Sequence, residues 1–224
     1  NTIQLIRKVL AGFPILLDIP GKKIRTSNLK HEPKFNISDE IILTTKRGFD
    51  GEKKVSITSS ILHKYISKGD QILADDGTLK FEVFKVVDKD IYCKAMTNGV
   101  LRSSKGINVP HINIGGSVIT PRDISMIEFA KTNEVDFIGV SFVESPEHIK
   151  KIRNIIKSIS PKIVAKVENQ KGLDNLEGII QESDVIMIDR GDLSTETNIE
   201  NLAMYQKNII RKSILFSKPV IVAT

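Results

Sequence analysis

The chain has 224 residues, a formal net charge of +6, 40% hydrophobic residues and 27% charged residues, which is typical of a globular protein with one large domain or two small ones. No apolar run approaches the ~20 residues of a membrane span and the start lacks a signal-peptide pattern, so we expect no membrane partner and a cytoplasmic or organellar location. The lysines are dispersed and aromatic residues are only 5%, which argues against a nucleic-acid partner.

The first residues predict the end of a helix followed by a strand. Residues 1–10 carry apolar side chains at helical spacing, and Gly12 closes the pattern. The run from Phe13 to Leu17 then predicts a buried strand that ends on Asp18.

A different pattern occupies residues 26–115. Short alternating or β-branched runs are separated by turn signals such as Asp75-Asp76-Gly77 and Asn98-Gly99. They predict a compact antiparallel β module, a small barrel, inserted into an α/β domain that comprises residues 1–25 and 116–224. Within the module, the single cysteine, Cys93, is interpreted as a packed apolar residue and excludes an internal disulfide framework.

Helical patterns return after the module. Thr120 is placed as an N-cap with Pro121 at the first helical position, and Ser145-Pro146 begins a second helix in the same way. The expected buried stripe of the first helix consists of Ile124, Ile127 and Ala130. The histidines have no ligand spacing and are interpreted as surface residues: His31, His63, His111 and His148.

Three apolar runs in the last third of the chain end on chemically reactive residues. Runs 163–165, 185–188 and 219–223 alternate with helical patterns, which predicts parallel βα units. Lys166 and Glu168 are two residues apart, so their side chains point to the same face. Asp192 follows the second run and Thr224 ends the third. In (β/α) barrels the site lies at the carboxyl ends of the strands, where all four residues are expected.

The predicted fold class is α/β. Five parallel strands are expected, whereas a closed barrel of this type has eight. We therefore expect an incomplete (β/α)8 TIM-type barrel with an inserted small antiparallel β-barrel domain, and missing strands outside this chain.

At this point several motifs resemble those of the pyruvate kinase family. They are Val-Ala-Lys-Val-Glu-Asn-Gln-Lys-Gly at 164–172, Asp-Arg-Gly-Asp-Leu at 189–193, Pro-Val-Ile-Val-Ala-Thr at 219–224, the stretch 17–26, Asp-Asp-Gly at 75–77, and Ser-Ser-Lys-Gly-Ile-Asn-Val-Pro at 103–110. The resemblance is collinear over nearly the whole chain. It implies transfer of a phosphoryl group from phosphoenolpyruvate to ADP, giving pyruvate and ATP in the last step of glycolysis.

The resemblance also implies roles for individual residues. Glu168 and Asp192 would hold Mg²⁺ or Mn²⁺, hard cations that prefer oxygen ligands. Lys166 matches the family lysine that neutralises charge on the phosphoryl group and on the enolate oxygen. Thr224 matches the threonine that either donates the proton to the enolate or holds a water there.

Substrate and nucleotide contacts follow from the same resemblance. The implied substrate-binding residues are Gly191, Ser141, Phe142 and Arg190, and the implied nucleotide-binding residues are Arg25 and Lys105. The β module would close as a lid. The implied partners are phosphoenolpyruvate, ADP or ATP, and further copies of the chain, as in the tetramers of the family.

Some positions depart from the family pattern. Asp18 lies at the family's monovalent-cation site, but the next residue is Ile19, which has no side-chain oxygen, so a K⁺ requirement is not expected. Glu144 and Asp189 add acid near an anionic substrate and would weaken its binding unless they are paired, for example by Arg190.

Three alternatives stay open. The departures allow a catalytically impaired pyruvate-kinase-like protein. A Glu and Asp pair that holds Mg²⁺ also serves a metal-dependent pyruvate-enolate lyase or aldolase, and the β module with a basic face could be an RNA-binding barrel.

Overall fold

The structure, a computed structural model, describes residues 2–21, 23–110, 112 and 119–223. The chain forms two compact units, one made of Asn1–Lys22 with Ser117–Thr224 and the other of Lys23–Gly116. Ile24 and Arg25 therefore lie in the second unit, whereas the sequence places them in the first. The reason is that they pair with the strand at Gly106–Asn108.

Helices are concentrated in the first unit. In chain order they are α1 (Thr2–Val9), α2 (Pro121–Thr132), α3 (Pro146–Ile156), α4 (Gln170–Asp174), α5 (Leu176–Glu182), α6 (Arg190–Glu196) and α7 (Leu202–Leu215). Among the described residues, no helix has the length and apolar character needed to cross a membrane.

Strands occur in both units. In chain order they are β1 (Leu16–Ile19), β2 (Ile24–Arg25), β3 (Lys34–Phe35), β4 (Glu40–Thr44), β5 (Val55–Ser56), β6 (Gln71–Ala74), β7 (Leu79–Val87), β8 (Asp90–Ala95), β9 (Gly99–Val100), β10 (Gly106–Asn108), β11 (Phe137–Val140), β12 (Lys162–Val167), β13 (Val185–Asp189) and β14 (Val220–Ala223).

The first unit is built on a parallel sheet with the order β1-β11-β12-β13-β14. Helices connect β11 to β12, β12 to β13, and β13 to β14, so the carboxyl ends of the strands meet at one edge. Central strands are covered on both faces; in β12 every residue after Lys162 is buried. The expected parallel βα architecture is thus confirmed. The first strand is shorter and less buried than expected: it begins at Leu16, which is 36% exposed, and Phe13 lies before it and is 62% exposed.

The capping motif of α2 forms as the sequence predicts. Thr120 Oγ1 accepts a hydrogen bond from Asp123 N at 3.1 Å, and an Asp123 carboxylate oxygen accepts one from Thr120 N at 2.8 Å, which is a capping box. Ile127 and Ala130 are buried, but Ile124 is 43% exposed. The buried face runs through Asp123 instead, and one residue is a rotation of about 100° on a helix.

One expectation about α3 is confirmed and one is wrong. Ser145 is the N-cap residue and Pro146 the first helical residue, as predicted, although the Ser145 side chain makes no capping hydrogen bond. His148 is not a surface residue; it is only 4% exposed. It lies one helical turn before buried Ile152, so both side chains share the face that packs on the sheet.

A polar clamp ties α3 to the amino end of the sheet. Arg153 donates to Asp184 Oδ2 at 2.9 Å and to the Glu182 carbonyl at 2.9 Å. The same Asp184 oxygen accepts from the backbone N–H of Ile163, at the start of β12, at 2.7 Å. We call these groups the α3 clamp. They satisfy backbone groups at a strand entrance and fix the helix against it.

The same arrangement recurs at α1. Arg7 donates to Asp136 Oδ2 at 2.7 Å and to the Glu134 carbonyl at 3.0 Å. Asp136 Oδ2 also accepts from Ile15 N at 2.7 Å. This α1 clamp repeats the donor and acceptor pattern of the α3 clamp. Both clamps lie at the amino ends of the strands, opposite to the edge where the reactive residues gather.

The second unit is a closed β barrel. Its main sheet has the order β2-β10-β6-β7-β8-β4-β5, and an antiparallel bridge between Thr26 and Ile57 joins the two edges. Most strand pairs are antiparallel, as expected. The exception is β4 with β5, which are parallel because the connection over residues 45–54 brings the chain back alongside β4 before β5 begins. Cys93 is fully buried in the core of the barrel, which confirms its interpretation as a packing residue.

Candidate active site

Lys166 and Glu168 form a buried ion pair at the carboxyl end of β12. Lys166 Nζ lies 2.9 Å from Glu168 Oε1, and the two residues are 7% and 0% exposed. This proximity follows from the strand, because its side chains alternate and residues two apart share a face. The sequence prediction that these side chains lie together is confirmed.

Two more carboxylates and a hydroxyl surround the same ammonium group. Lys166 Nζ lies 3.3 Å from Asp189 at the end of β13 and 3.4 Å from Asp18 in β1. It also donates to Ser141 Oγ, just after β11, at 3.1 Å. Four neighbouring strands thus each deliver a polar side chain to one edge of the parallel sheet.

Glu168 is held in place from its other side by the backbone of Phe142. The Phe142 N–H donates to Glu168 Oε2 at 2.5 Å. Phe142 adopts a φ of 54°, in the left-handed region that bulky residues rarely occupy. Backbone strain of this kind is found where a structure must aim a specific group. Phe142, predicted to contact substrate, therefore also fixes the carboxylate.

The electrostatics of the ion pair are set by burial and by the excess of acid. Burial lowers the pKa of Lys166, but the carboxylates of Glu168, Asp18 and Asp189 outweigh it and hold that pKa above its ordinary value. Burial raises the pKa of Glu168 to about 8, against the opposing attraction of Lys166. The lysine is therefore charged at neutral pH, whereas ionisation of Glu168 is costly.

The acidic side chains fit a divalent cation. Glu168, Asp189 and Asp192 each offer an oxygen, and these oxygens lie within 4.8 Å of one another. Glu168 Oε1 accepts no hydrogen bond of standard geometry despite its contact with Lys166. Carboxylate oxygens are the ligands that Mg²⁺ and Mn²⁺ prefer. The donor set thus suits the metal that the motifs imply, and it includes both predicted ligands.

Arg190 and Gly191 occupy the first two positions of α6. Arg190 does not pair with Asp189, as the sequence analysis suggested, because its Nε donates to the carbonyl of Ala223 at 3.0 Å. Asp189 is paired with Lys166 instead. The other added acid, Glu144, pairs with Lys171 at 3.5 Å.

Arg25 and Lys105 lie on paired segments of the second unit. Arg25 donates to the Ser104 carbonyl at 3.1 Å, and Lys105 Nζ lies 2.7 Å from Asp75 Oδ1. The Asp75-Asp76-Gly77 motif forms the turn between β6 and β7, with φ values of 51°, 53° and 80°. Thr224, the remaining predicted catalytic residue, lies outside the described residues.

Sequence reasoning treated Asp189 only as an unfavourable acid near the substrate and missed its place in the carboxylate cluster. The signal was available, because Asp189 is the last residue of β13 and the carboxyl ends of neighbouring parallel strands meet at the same edge. Ile19 is only 1% exposed and packs in the core of the first unit.

Comparison with known proteins agrees with these motifs. Residues 2–224 match the family model described as pyruvate kinase, barrel domain. The chain is 40% identical over 231 residues to a pyruvate kinase of Clostridium perfringens, covering 99% of the chain and 49% of that protein. It is 37% identical over 231 residues to one from Thermococcus litoralis, covering 100% of the chain and 49% of that protein. A relative from Thermotoga maritima is 38% identical over 213 residues, covering 94% of the chain and 46% of that protein. The chain thus spans about half the length of these relatives, and it belongs to the pyruvate kinase family.

Proposed function

We propose that this chain contains the central part of the active site of a pyruvate kinase, which transfers a phosphoryl group from phosphoenolpyruvate to ADP with Mg²⁺ or Mn²⁺. The observation that carries this proposal is the buried Lys166, held at the strand ends beside the carboxylates of Glu168 and Asp189. Membership of the family supports the same reaction.

Lys166 supplies positive charge where the reaction needs it. Phosphoryl transfer depends mainly on positioning and on neutralising charge on oxygen. The raised pKa keeps Lys166 protonated, and its burial reduces solvent screening of the ammonium charge. Ser141 accepts a hydrogen bond from the ammonium and so helps to orient it toward the substrate.

Glu168 and Asp192 would hold the divalent cation. When bound, that cation supplies further positive charge to the oxygens of phosphoenolpyruvate. Glu168 is well suited to this role because the backbone of Phe142 fixes one of its oxygens. Such preorganisation lowers the cost of binding, since little ordering remains to be done when the ion arrives.

The remaining predicted residues complete the proposal. Thr224 delivers the proton to the enolate or holds the water that does so, and Gly191 and Arg190 contact the substrate. Arg25 and Lys105 contact nucleotide phosphates when residues 26–115 close as a lid. Lys105 must then leave its ion pair with Asp75 and pair with a phosphate oxygen instead, so that one anionic oxygen partner replaces another.

Further properties of the whole protein follow as part of the proposal. Activity is independent of K⁺, because the buried hydrocarbon side chain of Ile19 offers no ligand oxygen beside Asp18. The protein works in the cytoplasm or an organelle as a homo-oligomer.

One observation favours a second candidate, a catalytically impaired pyruvate-kinase-like protein. Lys166 is contacted by three carboxylates, and this acid repels an anionic substrate when no metal is bound. In that case phosphoenolpyruvate binds in the presence of Mg²⁺ without turnover.

The test is a coupled assay of pyruvate production by the complete protein, with Mg²⁺ or with EDTA, and with or without K⁺. The proposal predicts Mg²⁺-dependent turnover that ignores K⁺ and falls at least about 100-fold in Lys166→Met, the size of effect seen when one electrostatic catalytic contact is removed. Lys171→Met is the matched control, because Lys171 makes a partly exposed ion pair with Glu144 outside the carboxylate cluster. Mg²⁺-dependent substrate binding without turnover would support the impaired protein instead.

A further inference from the structure

Asp189 is positioned by two contacts at the edge of the proposed metal site. Its Oδ1 accepts a hydrogen bond from Asp192 N at 3.4 Å, so it serves as the N-cap of α6. Its Oδ2 lies 3.3 Å from Lys166 Nζ. These contacts direct the carboxylate toward Glu168 and Asp192, and one oxygen from each of the three residues falls within 4.8 Å of the others.

We propose that Asp189 is a third carboxylate ligand of the divalent cation in this protein. The inference rests on the proposed function, which assigns Glu168 and Asp192 to that cation. The geometry that carries it is the convergence of all three carboxylates, with two of them contacting Lys166. Asp189 thus belongs to the metal site and is more than a helix cap or a lysine partner.

The charge around the site supports this assignment. Four carboxyl groups, those of Asp18, Glu168, Asp189 and Asp192, gather at this strand edge with the single ammonium group of Lys166. Acidic groups thus outnumber the basic one, and a divalent cation would offset this excess. Arg190 does not reduce the excess by pairing with Asp189, because its Nε is bound to the Ala223 carbonyl.

A third carboxylate has a consequence for affinity. The affinity of an oxygen site for a divalent cation rises with the number of charged ligands. The protein should therefore bind metal tightly before any substrate arrives.

The experiment measures Mn²⁺ binding to the complete protein without substrate, by electron paramagnetic resonance of the free ion. Asp189→Asn removes the charge but keeps an oxygen that can cap α6. It should weaken Mn²⁺ binding at least about 10- to 100-fold, because that is the cost of losing a group that only supports a metal ligand and a direct ligand contributes no less. Glu144→Gln is the matched control, because its carboxylate pairs with Lys171 outside the cluster, and it should bind Mn²⁺ like the wild type.

A second measurement counts the ligands directly and does not depend on activity. Tb³⁺ luminescence lifetimes in H₂O and D₂O report the number of waters on the bound ion. Asp189→Ser, which also keeps a capping oxygen, should carry about one more water than the wild type, because water fills the coordination position that the carboxylate leaves. This variant serves equally if Asp189→Asn does not fold.

The outcomes separate this inference from the proposed function. Unchanged Mn²⁺ affinity and an unchanged water count in the Asp189 variants, with binding lost in Glu168→Gln, would overturn the third ligand and leave the proposed metal site intact. If Glu168→Gln also bound Mn²⁺ like the wild type, both the third ligand and the proposed metal site would be overturned.

Discussion

The α3 clamp allows the stability of the first unit to be perturbed far from its reactive edge. Asp184→Ala removes the acceptor of both Arg153 and the Ile163 N–H. The side chains of Arg153 and Asp184 are 35% and 29% exposed, so the ion pair is partly screened and contributes about 1 kcal/mol. A backbone N–H left without its acceptor costs about 2 kcal/mol. The expected loss in the free energy of unfolding is therefore about 3 kcal/mol.

Asp184→Asn is the matched variant for this prediction. Its amide oxygen can still accept from Ile163, so only the ion-pair contribution of about 1 kcal/mol should be lost. Urea unfolding of the complete protein gives the stability change, and hydrogen exchange of the Ile163 amide gives the local effect. Mn²⁺ affinity should stay unchanged in both variants, because the clamp lies at the amino end of β12. Equal losses for the two variants, or none, would refute this reasoning.

Two further predictions concern protonation. The hydrogen bond from Ile15 N, with the hydrogen bond and charge of Arg7, holds the pKa of Asp136 below its ordinary value of 3.8, so its contribution to stability is present above that pH and is lost as the pH falls through the lowered pKa. Asp136→Asn should thus be less stable than the wild type in urea unfolding at pH 6, with a smaller difference at pH 3; a constant difference would contradict the assignment. Burial raises the pKa of the Cys93 thiol to about 12, so an aromatic disulfide reagent at pH 8 should label Cys93 only after denaturant unfolds the protein. Rapid labelling of the native protein would show that the barrel core opens.

Local rules were sufficient to predict the central pair of the site. The side-chain period of a strand places Lys166 and Glu168 on one face whatever the rest of the chain does. The shared edge of parallel strands then brings Asp192 close to Glu168. The capping box at Thr120 and the burial of Cys93 were predicted for the same reason, because each depends on a few neighbouring residues.

Predictions that depended on distant neighbours were less successful. The run from Phe13 to Leu17 is apolar enough for a buried strand, yet the observed strand begins only at Leu16 and Phe13 is exposed. His148 was predicted to be a surface residue from its polar sequence context, but its burial depends on which face of α3 packs on the sheet. The partner of Arg190 depends on where β14 places the Ala223 carbonyl. In each case tertiary packing decided a point that local propensity leaves open.

The most direct test of the central claim follows the phosphorus atom itself. Phosphorus-31 NMR of the complete protein with phosphoenolpyruvate, ADP and Mg²⁺ separates substrate, ATP and inorganic phosphate. The account predicts that the phosphoenolpyruvate signal is replaced by an equal amount of the γ-phosphorus signal of ATP, and that Lys166→Met loses this conversion. Inorganic phosphate without ATP, or an unchanged substrate signal, would contradict phosphoryl transfer to ADP at this site.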